Sequence, residues 1–309
     1  MWRGNMPADS GSIRVADAHI HFFSDRFLKL LAGQARLDPQ TELPGRLTSW
    51  ELPPPEPEAL ADLWIDELDR CQVDHAALIA SVPGDESSVA AAVRRSPGRF
   101  VGYFIFNPLA PNASDTLQQA LDSGLRCAAL FPAMHGYRMT EALVEEAVKA
   151  VAERKGTAMF VHCGILSVGI RRRLGLNSEF DVRLSNPVDL HGLALRYPSL
   201  PFIIPHFGAG YFREALMVAS SSDNIYLDTS SSNRWMAIEG LTLRDVFARS
   251  LAVIGANRLL FGTDSSFFPR GWNGSIFDQQ MEVVKALEVP EIAIERIFRE
   301  NFVEMFQLG

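Results

Sequence analysis

What most constrains this 309-residue chain is an alternation that runs its whole length. Short apolar runs recur, each followed by a polar turn and then by a longer segment whose apolar residues return with helical period. Eight such runs are present: "IRVADAHIHFF", "HAALIASVP", "FVGYFIFNP", "CAALFPA", "AMFVHCG", "PFIIPHFG", "NIYLDTS" and "RLLFGTDS". Between them lie amphipathic stretches such as "EALADLWIDELDRC", "SDTLQQALDSG" and "TEALVEEAVKAVAERKG". Strands separated by helices build parallel sheets, because a parallel connection needs a long crossover and a helix supplies it. Eight strands with seven or eight helices favour a closed TIM (β/α)8 barrel over an open sheet. Ser114 and Thr140 sit where N-caps are expected, and Gly124 and Gly156 where helices should stop.

Length alone suggests two domains, but a barrel of this size is commonly one unit, so residues 1–309 are read as a single domain. The prolines of "ELPPPEPE" cannot lie inside a helix. Residues 24–58 therefore read as a loop excursion after the first strand, ending where the first helix begins. In a barrel that excursion lies over the C-terminal mouth, as a candidate lid. The last segment, "IAIERIFRENFVEMFQ", reads as one or two closing helices packed on the outside.

Composition narrows the partners. At 47% hydrophobic residues the chain can bury a sizeable core, and a net charge of -8 argues against nucleic acid. The one basic cluster, Arg171 to Arg173, is too short to reverse that. Three cysteines at wide spacing indicate neither a disulfide framework nor a thiolate zinc site. The stretch "MWRGNMPADSGSIR" lacks the apolar core of a signal peptide, and no run is long enough to span a membrane. A cytoplasmic protein acting on a small molecule is expected.

Strand C-termini converge on one mouth of a barrel, so polar residues at the ends of apolar strands are informative. His19 and His21, two apart on the first strand, point to one face. His162, His206 and Asp264 end the fifth, sixth and eighth runs. Four of the chain's seven histidines thus meet an aspartate in one volume. Imidazole and carboxylate together suit a divalent metal, Zn²⁺ first, with Mn²⁺, Fe²⁺ and Ni²⁺ as alternatives. Such an ion lowers the pKa of water to about 7 and so makes a nucleophile at neutral pH. Asp17, on the same face by alternation and deeper in the strand, is expected to brace the site from behind.

Other polar and aromatic residues fall near the mouth with less definition. His135, just after the fourth strand, and Arg138, Arg171, Arg234 and Trp235 are candidates to touch substrate. Phe22, Phe23, Phe267, Phe268 and Trp272 are candidate walls. His75 opens the second strand at the opposite rim and reads as structural, His191 as a helix residue, and Cys163 as pointing away from the site.

Taken together, "DAHIHFF", "FVHCG", "IPHFG" and "LFGTDSSF" resemble the successive strand motifs of the amidohydrolase superfamily. The resemblance is to the amidohydrolase-related family that includes aminocarboxymuconate semialdehyde decarboxylase, and it runs from residue 14 to the closing "ENFVEMF". It implies a TIM barrel with His19, His21 and His162 as metal ligands. It implies Asp264 as ligand or proton acceptor, and His206 as the catalytic imidazole. Binuclear relatives bridge two metals with a carboxylated lysine on the fourth strand. Here that strand is "CAALFPA" and the only lysines are Lys29, Lys149, Lys155 and Lys285, so one metal is favoured. Dimers are common among such relatives.

The expected activity is metal-dependent hydrolysis of an ester, lactone or amide. The same resemblance implies a second activity, non-oxidative decarboxylation of an aromatic or enol-type acid, which would need an arginine for the substrate carboxylate. A barrel without activity, kept as a binding protein, is the non-enzymatic alternative. Against it stands the cost of burying so many ionisable groups.

Overall fold

The computed structural model describes residues 13–230 and 233–308, so the first twelve residues of the N-terminal stretch read above lie outside the described part. Eight strands pair in parallel and in chain order. They are β1 (Val15–His21), β2 (Val73–Ala80), β3 (Phe100–Phe106), β4 (Cys127–Leu130), β5 (Ala158–Val161), β6 (Phe202–Ile204), β7 (Ile225–Asp228) and β8 (Leu259–Leu260). The segment after β8 returns to β1: Ile20 bridges Ser265, and the Ala18 and His21 amides donate to Phe261 and Ser265 carbonyls at 2.8 Å each. The sheet closes on itself, and the fold is a TIM barrel.

Alternation along each strand divides its residues between two cores. Ala77, Ile79, Val101, Tyr103, Ile105 and Phe160 fill the barrel interior. The intervening Leu78, Phe104, Met159 and Val161 pack under the helices. Both faces are covered, which is why these strands read as nearly unbroken apolar runs.

Local structure departs from the sequence reading in three places. First, the 24–58 excursion carries a helix, α1 (Asp25–Ala35), capped by the Ser24 hydroxyl, which accepts from the Phe27 amide at 2.9 Å. Its buried face, Phe27, Leu28, Leu31 and Ala32, has helical spacing that the nearby prolines obscured. The proline run ends at Pro57, the first residue of α2 (Pro57–Arg70), where a missing N–H leaves nothing unsatisfied. Second, the caps shift. After α3 (Glu86–Arg95), helix α4 (Ala113–Asp122) starts from Asn112 and not Ser114, and α5 (Ala142–Ala152) from Glu141 and not Thr140.

Third, the terminal helix does not lie outside the barrel. Helix α6 (Asn301–Phe306) places Phe302, Met305 and Phe306 in the interior core beside Tyr103, plugging the end opposite the mouth. The Asn301 side chain fixes it there, donating to the Ala256 and Leu259 carbonyls at 2.8 Å each.

Candidate metal centre

The site begins with an irregularity in β1. Its register against β2 slips between Asp17 and Ile20, so strict alternation fails there. His19 and His21 both face the mouth cavity, while Asp17 turns toward the helical layer. The Asp17 carboxylate accepts from Trp272 Nε1 at 2.8 Å, from Thr263 Oγ1 at 2.6 Å and from the His19 backbone amide at 2.9 Å. Asp17 touches neither imidazole ring; it ties β1 to the loop after β8. Burial pushes its carboxyl up to about 6 against the pull of those hydrogen bonds.

The two imidazoles are oriented from behind. His19 Nδ1 lies 2.6 Å from Asp228 Oδ2 and 3.0 Å from Ser230 Oγ. His21 Nδ1 lies 2.6 Å from Ser81 Oγ, whose own proton goes to the Ile79 carbonyl. Each Nδ1 therefore faces an acceptor and carries the proton, leaving each Nε2 with a lone pair. Those Nε2 atoms are 3.4 Å apart, and Asp264 Oδ1 lies 3.2 Å from the one on His21 and 3.7 Å from the one on His19. A tetrahedral centre with bonds of about 2.0–2.1 Å separates its ligand atoms by roughly 3.3 Å. The triangle fits one zinc-sized ion.

Charge agrees with geometry. Burial would raise the Asp264 carboxyl, but its close contact with His21, and His19 and His206 around it, hold it well below the usual carboxylate range. Burial lowers His21 and His206 and takes His162 well below its ordinary value, so these rings are neutral, as metal binding requires. His19 is the exception: burial lowers it, yet the adjacent Asp228 reverses the shift and raises it. With His19 only 2% exposed and Asp228 fully buried, removing the imidazole would strand the Asp228 carboxylate at a cost of about 3–5 kcal/mol.

His206 and Asp264 are delivered by strained backbone. His206, Phe207 and Ala209 have φ of 54°, 52° and 43°, and Asp264 has 58°. This left-handed region disfavours side chains, and non-glycine residues held there concentrate at functional sites. The turn after β6 is held by the Ile165 amide, which donates to the Ala209 carbonyl at 2.8 Å. Gly164 makes that approach feasible: at φ +77° a Cβ would sit 2.3 Å from the Gly208 and Ala209 carbonyl oxygens.

His206 Nδ1 shares Ser230 Oγ with His19, at 2.9 Å. The His162 ring lies 5.4 Å from that of His206, and its Nδ1 is buried with no hydrogen-bond partner. Among the described residues the group whose ligand atoms lie within 4.8 Å of one another is His19, His21 and Asp264; His162 stands beside it.

These side chains form the floor of a cavity of about 640 Å³. His135 lines it, with an unpartnered Nδ1 and a pKa lowered to about 4 by burial, and so do Arg171, Phe23 and Phe267. Arg138, Arg234 and Trp235 do not. Arg138 is spent on Asp189 at 3.2 Å, Arg234 faces outward, and Trp235 is 2% exposed in the outer core against Phe212. Phe22 is core, Phe268 packs on Trp64, and Trp272 serves Asp17. His75 bonds the Gly98 carbonyl at 2.9 Å, and Cys163 is buried under the helices.

Residues that the sequence reading missed stand out. Asp228 ends β7 and would have been found by the same strand-end rule that found Asp264. Ser81, Ser230 and Arg270 carry no such signal.

Comparison with known proteins fits this centre. The profile of the Amidohydrolase family matches residues 16–308. Protein fluG of Emericella nidulans is 30% identical over 93 residues, 30% of this chain and 10% of that protein, so the match spans about a tenth of that relative's length. Three solved structures share the fold. An uncharacterised TIM-barrel protein from Bordetella bronchiseptica is 17% identical over 96% of this chain and 99% of that one, with a TM-score of 0.64. A probable 2-pyrone-4,6-dicarboxylic acid hydrolase from Acinetobacter baumannii, with citric acid bound, is 14% identical over 95% and 99%, at 0.59. An amidohydrolase from Burkholderia multivorans with bound zinc is 12% identical over 96% and 100%, at 0.57. The family profile spans nearly the whole chain, and this protein belongs to the amidohydrolase family.

Proposed function

We propose that the chain is a metal-dependent hydrolase of a small molecule, built on one divalent ion held by His19, His21 and Asp264 with His162 beside them. The observation that carries this reading is the triangle of two Nε2 atoms and one carboxylate oxygen at 3.2–3.7 Å on the cavity floor. Zinc suits the nitrogen and oxygen donors, and the zinc in the Burkholderia multivorans amidohydrolase supports it. When bound, the ion would acidify water and polarise the carbonyl of an ester, lactone or amide.

The rest falls to the chain's own residues. Asp228 and Ser81 fix which nitrogens of His19 and His21 face the cavity. Asp264, kept ionised by its histidine neighbours, is able to accept a proton. His206, tied at Nδ1 to Ser230, has Nε2 left to give or take one. The lactone named for the Acinetobacter baumannii neighbour supports a lactone among the substrates. The excursion over residues 24–58 acts as the roof.

Non-oxidative decarboxylation is the second reading, favoured by one observation: Arg270 Nη2 donates to the Asp264 carbonyl at 3.1 Å, which puts a guanidinium beside the centre. Incubating zinc-loaded protein with a panel of lactones, aryl esters and hydroxybenzoates, while recording acid and CO₂ release, separates the two. Acid release without CO₂ is expected. CO₂ without hydrolysis would replace the first reading with the second.

A further inference from the structure

One amide sits in the outer layer of the barrel, where an apolar side chain is the rule. Gln280 lies on the helix Gly274–Ala286 after β8, 1% exposed, with Met281 and Val284 buried along the same helix. A buried amide is costly unless its donor and its acceptor are both used. Here both go to one residue. Thr229 Oγ1 donates to Gln280 Oε1 at 2.7 Å, and Gln280 Nε2 donates to the Thr229 carbonyl at 2.7 Å. Thr229 is itself fully buried.

Thr229 stands between Asp228 and Ser230, just past the end of β7. Its amide donates to the carbonyl of Leu260, the last residue of β8, at 2.9 Å. Past that bond β8 has ended, and the helix holds the chain through Gln280 where a strand would otherwise do so. Thr229 faces the helices while its two neighbours face the metal centre. Asp228 Oδ2 meets His19 Nδ1, and Ser230 Oγ meets Nδ1 of both His19 and His206. A shift of Thr229 is therefore a shift of the two side chains that orient these imidazoles.

There is little slack to absorb such a shift. At Gly262 a Cβ would lie 2.8 Å from Asp228 Oδ1, 3.0 Å from His19 Cβ and 3.1 Å from Ser230 Cβ, so all three residues are seated against that glycine. Groups packed this closely pass displacement on to one another. From this chain of contacts we infer that Gln280 is a positioning residue of the metal centre: acting through Thr229, it fixes the Asp228 and Ser230 side chains that aim His19 and His206. The inference rests on the proposed metal centre, and it is independent of the reaction that the centre performs.

The test is Co²⁺ binding to the metal-free chain, followed by visible absorption, whose bands report the geometry of the ligands. The melting temperature of the metal-free protein is recorded alongside. Gln280→Met keeps the length of the side chain and removes both hydrogen bonds. It should weaken Co²⁺ binding by about tenfold, the lower end of the range for groups that orient metal ligands, and it should move the absorption bands. Thr229→Ser keeps the hydroxyl and should match the wild type in both. Thr229→Val loses one of the two bonds and should weaken binding by about threefold; it decides the matter if Gln280→Met does not fold. A lower melting temperature with unchanged Co²⁺ affinity and unchanged bands, in Gln280→Met or in its stand-in, would reduce Gln280 to a support of the fold and overturn the inference. A wild-type chain that takes up no Co²⁺ would remove the metal centre and this role together. The expected losses in a protein that hydrolyses nothing would leave the role standing and remove the hydrolase reading.

Discussion

The floor and the roof of the cavity are built on opposite principles. On the floor, polar side chains from β1 and from the ends of β2, β6, β7 and β8 meet within about 3.7 Å: Asp228 sets His19, Ser81 sets His21, Ser230 links His19 to His206, and Asp264 faces both first-strand histidines. In the roof, the excursion and the loop after β8 contribute stacked rings, with a guanidinium at one end of the column. A floor of that kind tolerates no slack, because a lone pair turned away from its target is lost to coordination. A stacked roof adapts by sliding. On the proposed reading, this difference assigns the reaction to the barrel strands and selectivity to the loops.

Substitutions should separate the two regions. The largest effects belong to the floor: His19→Ala and Asp264→Asn should each lower kcat/KM by more than about a thousandfold. Asp264→Asn should still give a cooperative melting curve. Retention of a tenth of wild-type activity by either variant would remove the proposed centre from the chemistry. One layer back, Asp228→Asn can no longer fix the His19 tautomer by charge, and a loss of about 10- to 100-fold in zinc affinity or activity is expected. A zinc titration showing unchanged affinity and activity would show that Asp228 only supports the fold.

In the roof, Trp50→Ala opens the column between Phe23 and Phe267. A rise in KM of about tenfold with kcat nearly unchanged is expected, since ground-state and transition-state contacts are lost together. A fall in kcat equal to that of the floor variants would erase the distinction between the two regions.

A last effect concerns the joint between roof and barrel, and it shows in stability and leaves turnover unchanged. Ser24 Oγ donates to Asp85 Oδ1 at 2.7 Å, and Ser88 Oγ donates to the same atom at 2.6 Å, while Oδ2 is buried without a partner. Burial pushes the Asp85 carboxyl up to about 7, so the folded chain keeps a proton that the unfolded chain gives up near the ordinary 3.8. The folded state then binds more protons, and stability falls as pH rises from about 4 through about 7, by up to about 4 kcal/mol. Urea unfolding at pH 5 and pH 8 should show this slope in the wild type and a flatter one in Asp85→Asn. Identical slopes would mean that Asp85 ionises freely in the folded chain.

The same contrast governs how much could be read from the sequence. The barrel was legible because strands covered on both faces must be apolar throughout, and polar residues closing them become conspicuous. His19, His21, His162, His206 and Asp264 were found that way. Asp228 obeys the same rule and was overlooked because "NIYLDTS" holds no histidine. Asp17 was placed on the wrong side because alternation was carried through a register slip that no residue type announces. Ser81 and Ser230 are ordinary residues whose role exists only in three dimensions. The roof was least legible: α1 was hidden by the prolines that follow it. Arg138 and Arg234 resembled Arg171 in everything except where the loops carry them.

The most direct test of the account is the metal content of the purified chain. Protein stripped with chelator, reloaded with Zn²⁺ and desalted should retain about one ion per chain by elemental analysis. A His19→Ala/His21→Ala double variant treated identically should retain essentially none. A wild-type chain that holds no metal after reloading, or a double variant that holds as much as the wild type, would contradict it.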